Sequence, residues 1–266
     1  MNFNPRSIPF VKASACGNDF LLIDAALAPP DIADFTRRIC DRHDGVGADG
    51  VEWMLPHDSA DAEIKLMNAD GSPAEISGNG TRCVAAYICA TRGKEKIRIQ
   101  TGAGLKNCSL IVRHDSQYEF EMEVGEATLG GESTVCLGDR EIRGVSVSMG
   151  NPHFVVFVSE FEQNWQVRAA EIQRDPQFMH GVNVELVIAD SRNDIRVMFF
   201  ERGAGETQSS GTGSCASAVA AVSTGRAQWP VRVHTPGGSQ TVREKENVIF
   251  LRGSARLLCR GDFFLD

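Results

Sequence analysis

No stretch of this chain approaches the twenty or so apolar residues that a membrane-spanning helix needs. The N-terminus, MNFNPRSIPFVKASACG, lacks the apolar core of a secretory signal. No two cysteines form a CxxC pair, and none of the eight (Cys16, Cys40, Cys83, Cys89, Cys108, Cys136, Cys215 and Cys259) stands at metal-ligand spacing. Basic runs are missing too. Arg37, Arg38 and Arg42 are scattered, and 27 Lys and Arg against 35 Asp and Glu leave a net charge of −8. A phosphate-backbone binder needs the opposite balance. These absences exclude a membrane, a nucleic-acid partner and a metal centre from the reading. The cysteines then read as reduced, mostly buried thiols of a cytoplasmic protein.

What is present suits an ordinary globular chain: 266 residues, 42% hydrophobic and 23% charged, long enough for two domains with a core each. The chain also repeats itself. Gly17-Asn18 precedes DFLLID, and Gly150-Asn151 precedes PHFVVFV, an offset of 133 (150 − 17). Ser77-Gly78-Asn79-Gly80 and Ser210-Gly211-Thr212-Gly213 share that offset (210 − 77). Gly45-Val46-Gly47 matches Gly181-Val182-Asn183, IRIQTGAG from Ile97 matches VRVHTPGG from Val231, and Gly125-Glu126-Ala127 matches Gly253-Ser254-Ala255. Five matches in one order make the chain a duplication of a unit of roughly 130 residues. The expected domains are 1–130 and 131–266, parted near Gly130-Gly131, with the last strand free to pack back on the first domain.

The runs LLID, IRIQT, FEMEV, VSVSMG, HFVVFV, VELVIA, IRVMFF, VRVHT and VIFL read as strands. Asn79–Arg92 and Thr212–Thr224 carry apolar residues at helical spacing and end near Gly93 and Gly225. ADFTRRICDRH and Trp165–Gln173 read as further helices. The expected fold is α+β: two pseudo-symmetric domains, each a mixed or antiparallel sheet wrapped around a central helix.

Ser-Gly-x-Gly directly before an apolar helix gathers unpaired N–H groups and the positive end of the helix dipole at one spot. The glycines let a carboxylate or phosphate approach the backbone. Two such starts converging on a cleft between the domains would grip one anion and act on both faces of the adjacent carbon. Taken singly, Ser77 and Ser210 read first as plain helix caps. Polar residues nine positions earlier in both halves, Asn68 and Glu201, favour a shared ligand.

GNDF (17–20), RHDGVGADG (42–50), NADGSPAEISGNGTRC (68–83), GNPH (150–153), GVNVE (181–185) and ERGAGETQSSGTGSCA (201–216) resemble, in order, the signature blocks of the diaminopimelate epimerase family. The resemblance implies a two-domain, cofactor-independent, PLP-independent isomerase interconverting LL- and meso-diaminopimelate in lysine biosynthesis. It implies that Gly78, Asn79, Gly211 and Thr212 offer N–H groups to the reacting α-carboxylate. Asn18, Asn68, Asn183 and Arg202 would hold the distal amino-acid end, His153 and Glu201 would sit beside the reacting carbon, and Asn151 would line the site. Gly50 stands where some members carry glutamine. By itself, His153 reads equally as a strand-end histidine with its bonds satisfied.

The chain departs from the family at the two proton-transfer cysteines, where Ser77 and Ser210 stand. A serine hydroxyl ionises on the order of 5 pKa units above a thiol, roughly 7 kcal/mol harder, and needs a partner base. Cys83 and Cys215 lie more than a turn further along. Three readings stay open: natural serines assisted by His153 or Glu201, a targeted replacement of two cysteines, or binding kept with turnover lost. Ser209 and Ser214 beside the site favour natural divergence. The rivals to an epimerase are a racemase or dehydratase for another amino acid, and a catalytically silent amino-acid-binding homologue. A small-molecule amino-acid substrate is the expected partner, with a homodimer as the expected assembly.

Overall fold

The computed structural model describes residues 6–265. The chain divides into two compact units, one running to Met122 and resuming at Gly253, the other comprising Glu123–Arg252. Gly130 and Gly131 lie inside a strand, where the register shifts between Ser146 and Val147 of its neighbour. A glycine pair at that point makes a β-bulge.

The first unit holds β1 (Ser7–Ala15), β2 (Asn18–Asp24), α1 (Ile32–Cys40), β3 (Gly50–Leu55), β4 (Ala62–Asn68), β5 (Pro73–Ala74), α2 (Gly78–Arg92), β6 (Lys96–Thr101), β7 (Gly104–His114) and most of β8 (Gln117–Glu126). The second holds β9 (Thr128–Leu137), β10 (Arg140–Ser148), β11 (Pro152–Phe157), α3 (Trp165–Gln173), β12 (Asn183–Ala189), β13 (Asp194–Glu201), β14 (Gly205–Thr207), α4 (Gly211–Ser223), β15 (Val231–Thr235), β16 (Gly238–Lys245) and the start of β17 (Val248–Phe264). The chain passes from the first unit to the second within β8 and returns within β17.

The pairing is the same in both units. β2 runs parallel to β3, β3 antiparallel to β4, and β4 parallel to β6. β11, β12, β13 and β15 repeat that order. The helices repeat as well: α1 and α3 start 133 residues apart (165 − 32), as do α2 and α4 (211 − 78).

Each unit has two helical layers against one sheet. In the first, Leu21, Ile23, Val51 and Trp53 pack with Phe35 and Ile39 of α1. Side chains alternate faces along a strand, so Phe20, Leu22 and Glu52 point the other way. The interior of β3 is buried continuously because both of its faces are covered. In the second unit Phe154, Val184 and Leu186 meet Trp165 and Ile172 of α3, while Val155, Val187 and Val197 meet α4. α4 is buried from Gly213 to Ala221, and its Ser/Ala/Gly composition lets strands approach it closely. α2 is buried over Asn79–Ala86 and ends at Gly93 in the left-handed region, φ 67°. Among the described residues the eight cysteines form no disulfide, six of them being buried and Cys136 and Cys259 exposed. Among the described residues no helix is long and apolar enough to cross a membrane.

Candidate active site

Ser77 and Ser210 are the N-caps of α2 and α4, with extended backbone (φ −120° and −134°). Each hydroxyl oxygen accepts the N–H three residues on: Gly80 to Ser77 at 3.1 Å and Gly213 to Ser210 at 3.2 Å. The N–H groups of Gly78, Asn79, Gly211 and Thr212 occupy the first turns, where no helix carbonyl can reach them. The cap reading and the anion-seat reading therefore coexist, since the serine satisfies a later N–H and leaves the first two to other acceptors.

In the second unit Ser210 Oγ donates to Glu201 Oε1 at 2.7 Å. This is the carboxylate partner that a serine needs before it can give up a proton. His153 is almost fully buried on β11. Its Nδ1 lies 2.7 Å from Glu185 Oε1, and its Nε2 lies 3.0 Å from Asn151 Oδ1. Asn151 Nδ2 in turn donates to Thr212 Oγ1 at 3.3 Å, tying the histidine to the start of α4. Burial pushes the Glu185 carboxyl up, with His153 opposing. Asn183 pairs with His153 across β11 and β12, donates to the Pro152 carbonyl and accepts the Arg202 N–H at 2.9 Å. Arg202 folds over Gly181, where a Cβ would lie 2.6 Å from its Cδ, and donates to the His180 carbonyl.

In the first unit Asn79 Nδ2 donates to Asn18 Oδ1 at 2.7 Å, and Asn18 Nδ2 donates to Asp49 Oδ2 at 3.0 Å. The fully buried Arg82 donates to Asn79 Oδ1 and fixes that amide's orientation. Asn68 ends β4 and gives its amide to Ser72 Oγ at 3.0 Å. The register sets Phe20, Gly50 and Asn68 in one row across β2, β3 and β4. His153 and Asn183 stand in the matching row, with Glu201 following Phe200 on β13. All three positions differ by 133 (153 − 20, 183 − 50, 201 − 68). At Gly50 a Cβ would come within 2.5 Å of the Met67 carbonyl oxygen, so this backbone admits no larger residue there.

Two residues absent from the sequence reading complete the picture. Glu52 and Glu185, again 133 apart (185 − 52), are fully buried on β3 and β12. Each reaches under a helix start. A Cβ on Gly80 would lie 1.9 Å from Glu52 Oε1, and one on Gly213 would lie 2.8 Å from Glu185 Oε1. Space for a carboxyl explains the last glycine of both Ser-Gly-x-Gly turns. Cys83 and Cys215 are buried along the helices, and burial pushes the Cys83 thiol up. Neither can replace the serines. Among the described residues no group of three or more His, Cys, Asp or Glu is placed to hold a metal ion.

The model of the family "Diaminopimelate epimerase" matches residues 10–130 and 145–258. The chain belongs to the diaminopimelate epimerase family. Similar relatives include the diaminopimelate epimerases of Desulfitobacterium hafniense (36% identical over 94% of this chain and 96% of that one) and Moorella thermoacetica (35%, 97% and 99%). That of Bacillus subtilis is 31% identical over 98% of this chain and all of the other. In fold, this family member is similar to a Bacillus anthracis phenazine biosynthesis protein of the PhzF family, with a TM-score of 0.75, 16% identity and coverage of 98% and 100%. It is also similar to a hydroxyproline epimerase from Agrobacterium vitis, with a TM-score of 0.73, 17% identity and coverage of 100% and 94%.

Proposed function

We propose that this chain is a cofactor-independent isomerase that converts LL-diaminopimelate to meso-diaminopimelate by removing and returning the proton on the α-carbon. The Ser210–Glu201 hydrogen bond at 2.7 Å carries this reading, because it gives the replaced cysteine position a way to handle a proton. As Ser210 Oγ takes the α-proton, its own hydroxyl proton passes to Glu201. No free alkoxide forms, and the roughly 7 kcal/mol handicap of serine against cysteine shrinks. In each unit the first turn of the helix, with the N–H groups of Gly78 and Asn79 in one and of Gly211 and Thr212 in the other, favours a carboxylate as negative charge builds next to it. His153, set by Glu185 and Asn151, holds Thr212 in the first turn of α4 through Asn151. Asn18, Asn68, Asn183 and Arg202 supply fixed donors and acceptors for the distal amino-acid group. A cytoplasmic location and a homodimeric assembly accompany the proposal.

A second reading, a silent amino-acid-binding homologue, is favoured by one observation: both serine oxygens already serve as helix caps. Incubation with LL-diaminopimelate in D₂O, followed by NMR, separates the two. Loss of the α-proton signal supports the isomerase. Binding without exchange, both in this chain and in Ser77→Cys/Ser210→Cys, overturns it in favour of the binder.

A further inference from the structure

Among the described residues the second unit's buried acid has a hydrogen-bond partner, and the first unit's has none. Glu185 faces His153. The position equivalent to His153 in the first unit is Phe20, and both Glu52 oxygens lack a hydrogen-bond partner among the described residues. Glu52 stands between Leu22 on β2 and Leu66 on β4, and its Oε1 presses against Gly80 in the first turn of α2. The ionisable groups buried on α2 are Arg82 and the Cys83 thiol, and the thiol interacts electrostatically with Glu52. Burial pushes that thiol up, Arg82 opposes, and Glu52 adds to the rise. Among the described residues no cation offsets Glu52 itself. Burial alone holds its carboxyl neutral, pushed up to about 8.

A negative charge at this place would act against α2. The first turn presents positive potential to a ligand anion, and a carboxylate under Gly80 would cancel part of it. A neutral carboxyl leaves that potential intact. We infer that Glu52 is a positioning residue for the anion seat of α2: a carboxyl kept uncharged beneath Gly80 so that the turn from Ser77 can hold a substrate carboxylate, and whose ionisation weakens that hold. The inference rests on the proposed diaminopimelate reading, and it concerns the first unit alone. By reciprocity, an anion seated on the turn makes Glu52 harder to ionise.

The test is calorimetric titration of the whole chain with LL-diaminopimelate between pH 6.5 and 9.5, beside Glu52→Gln. The ligand's own ammonium groups titrate identically for both proteins, so the ratio of their dissociation constants isolates Glu52. For the wild type relative to Glu52→Gln, that ratio is expected to rise about tenfold from pH 7 to pH 9. Carbon-13 NMR of glutamate-labelled wild type needs no variant: the Glu52 carboxyl titrates near pH 8 when free and at higher pH with ligand bound. A purely structural glutamate would show no ligand-dependent shift. A flat ratio, or a carboxyl titration indifferent to ligand, overturns the inference while diaminopimelate binding stands. No binding by either protein at any pH overturns both the inference and the reading beneath it.

Discussion

Replacing Glu52 by glutamine should shift stability progressively in the variant's favour as pH rises from 4.5 to 8. The carboxyl sits at about 8 in the folded chain against an ordinary value of 4.5, and it is fully buried. Across that window the folded chain keeps a proton that the unfolded chain releases. The stability associated with the neutral acid is therefore complete below about pH 4.5 and is lost as pH climbs to 8. The gap of about 3.5 units at roughly 1.4 kcal/mol each gives about 5 kcal/mol by pH 8. Glutamine has the same shape and cannot ionise, so it escapes this loss. Urea unfolding of both proteins at pH 5, 6, 7 and 8, followed by circular dichroism, measures the difference. It should grow by about 1.4 kcal/mol per pH unit, because every other titrating group is common to both chains and cancels. Any cost of burying an amide enters as a constant offset. Parallel curves would refute the argument, since they would mean that Glu52 ionises in the folded chain as readily as in the unfolded one.

His153→Phe copies into the second unit the residue that the first unit carries at this position. It strands Glu185 and frees Asn151, and should cost about 3 kcal/mol in urea unfolding. Gly213→Ala drives a methyl to 2.8 Å from Glu185 Oε1 and 2.9 Å from the Phe199 ring, both immobile in the core. A loss of about 1–3 kcal/mol is expected by the same assay, with a lowered melting temperature.

The parts of this fold that were legible in the sequence are those where local chemistry and tertiary need agree. The Ser-Gly-x-Gly starts place α2 and α4 to within a residue, because cap, dipole and close packing all ask for the same residues. Trp165–Gln173 coincides with α3. The helix read through ADFTRRICDRH stops at Cys40, where Asp41 turns its carboxylate to the N–H groups of His43 and Asp44 and starts a turn. Gly130-Gly131 looks like a domain joint by composition, yet glycine pairs serve bulges as readily as linkers. Glu52 escaped notice for a different reason. Alternation assigns an acid in a strand to solvent, and that holds only where one face of the sheet is wet. Here both faces are covered, and only the 133-residue offset to Glu185 marks the position. The duplication is thus a stronger guide to the site than hydrophobic pattern.

Under the proposed mechanism, divergence between the two copies bears on which serine limits turnover. The row Phe20, Gly50, Asn68 carries no ionisable side chain, whereas His153, Asn183, Glu201 carries two. Ser210 has a carboxylate at 2.7 Å to receive its proton. The counterpart of Glu201 is Asn68, an amide that cannot act as a base and is already committed to Ser72. Ser77 therefore bears the full disadvantage of a hydroxyl, roughly 7 kcal/mol against a thiol, while Ser210 bears only part of it. Restoring a thiol at Ser77 alone should raise α-proton exchange more than restoring one at Ser210 alone, by at least about tenfold, the effect of some 1.4 kcal/mol in barrier. Single variants Ser77→Cys and Ser210→Cys, compared by NMR in D₂O with LL-diaminopimelate as substrate, decide it. An equal gain from both would mean that Glu201 gives Ser210 no help, and a larger gain at Ser210 would mean that its bond to Glu201 holds the hydroxyl in its capping role against the chemistry.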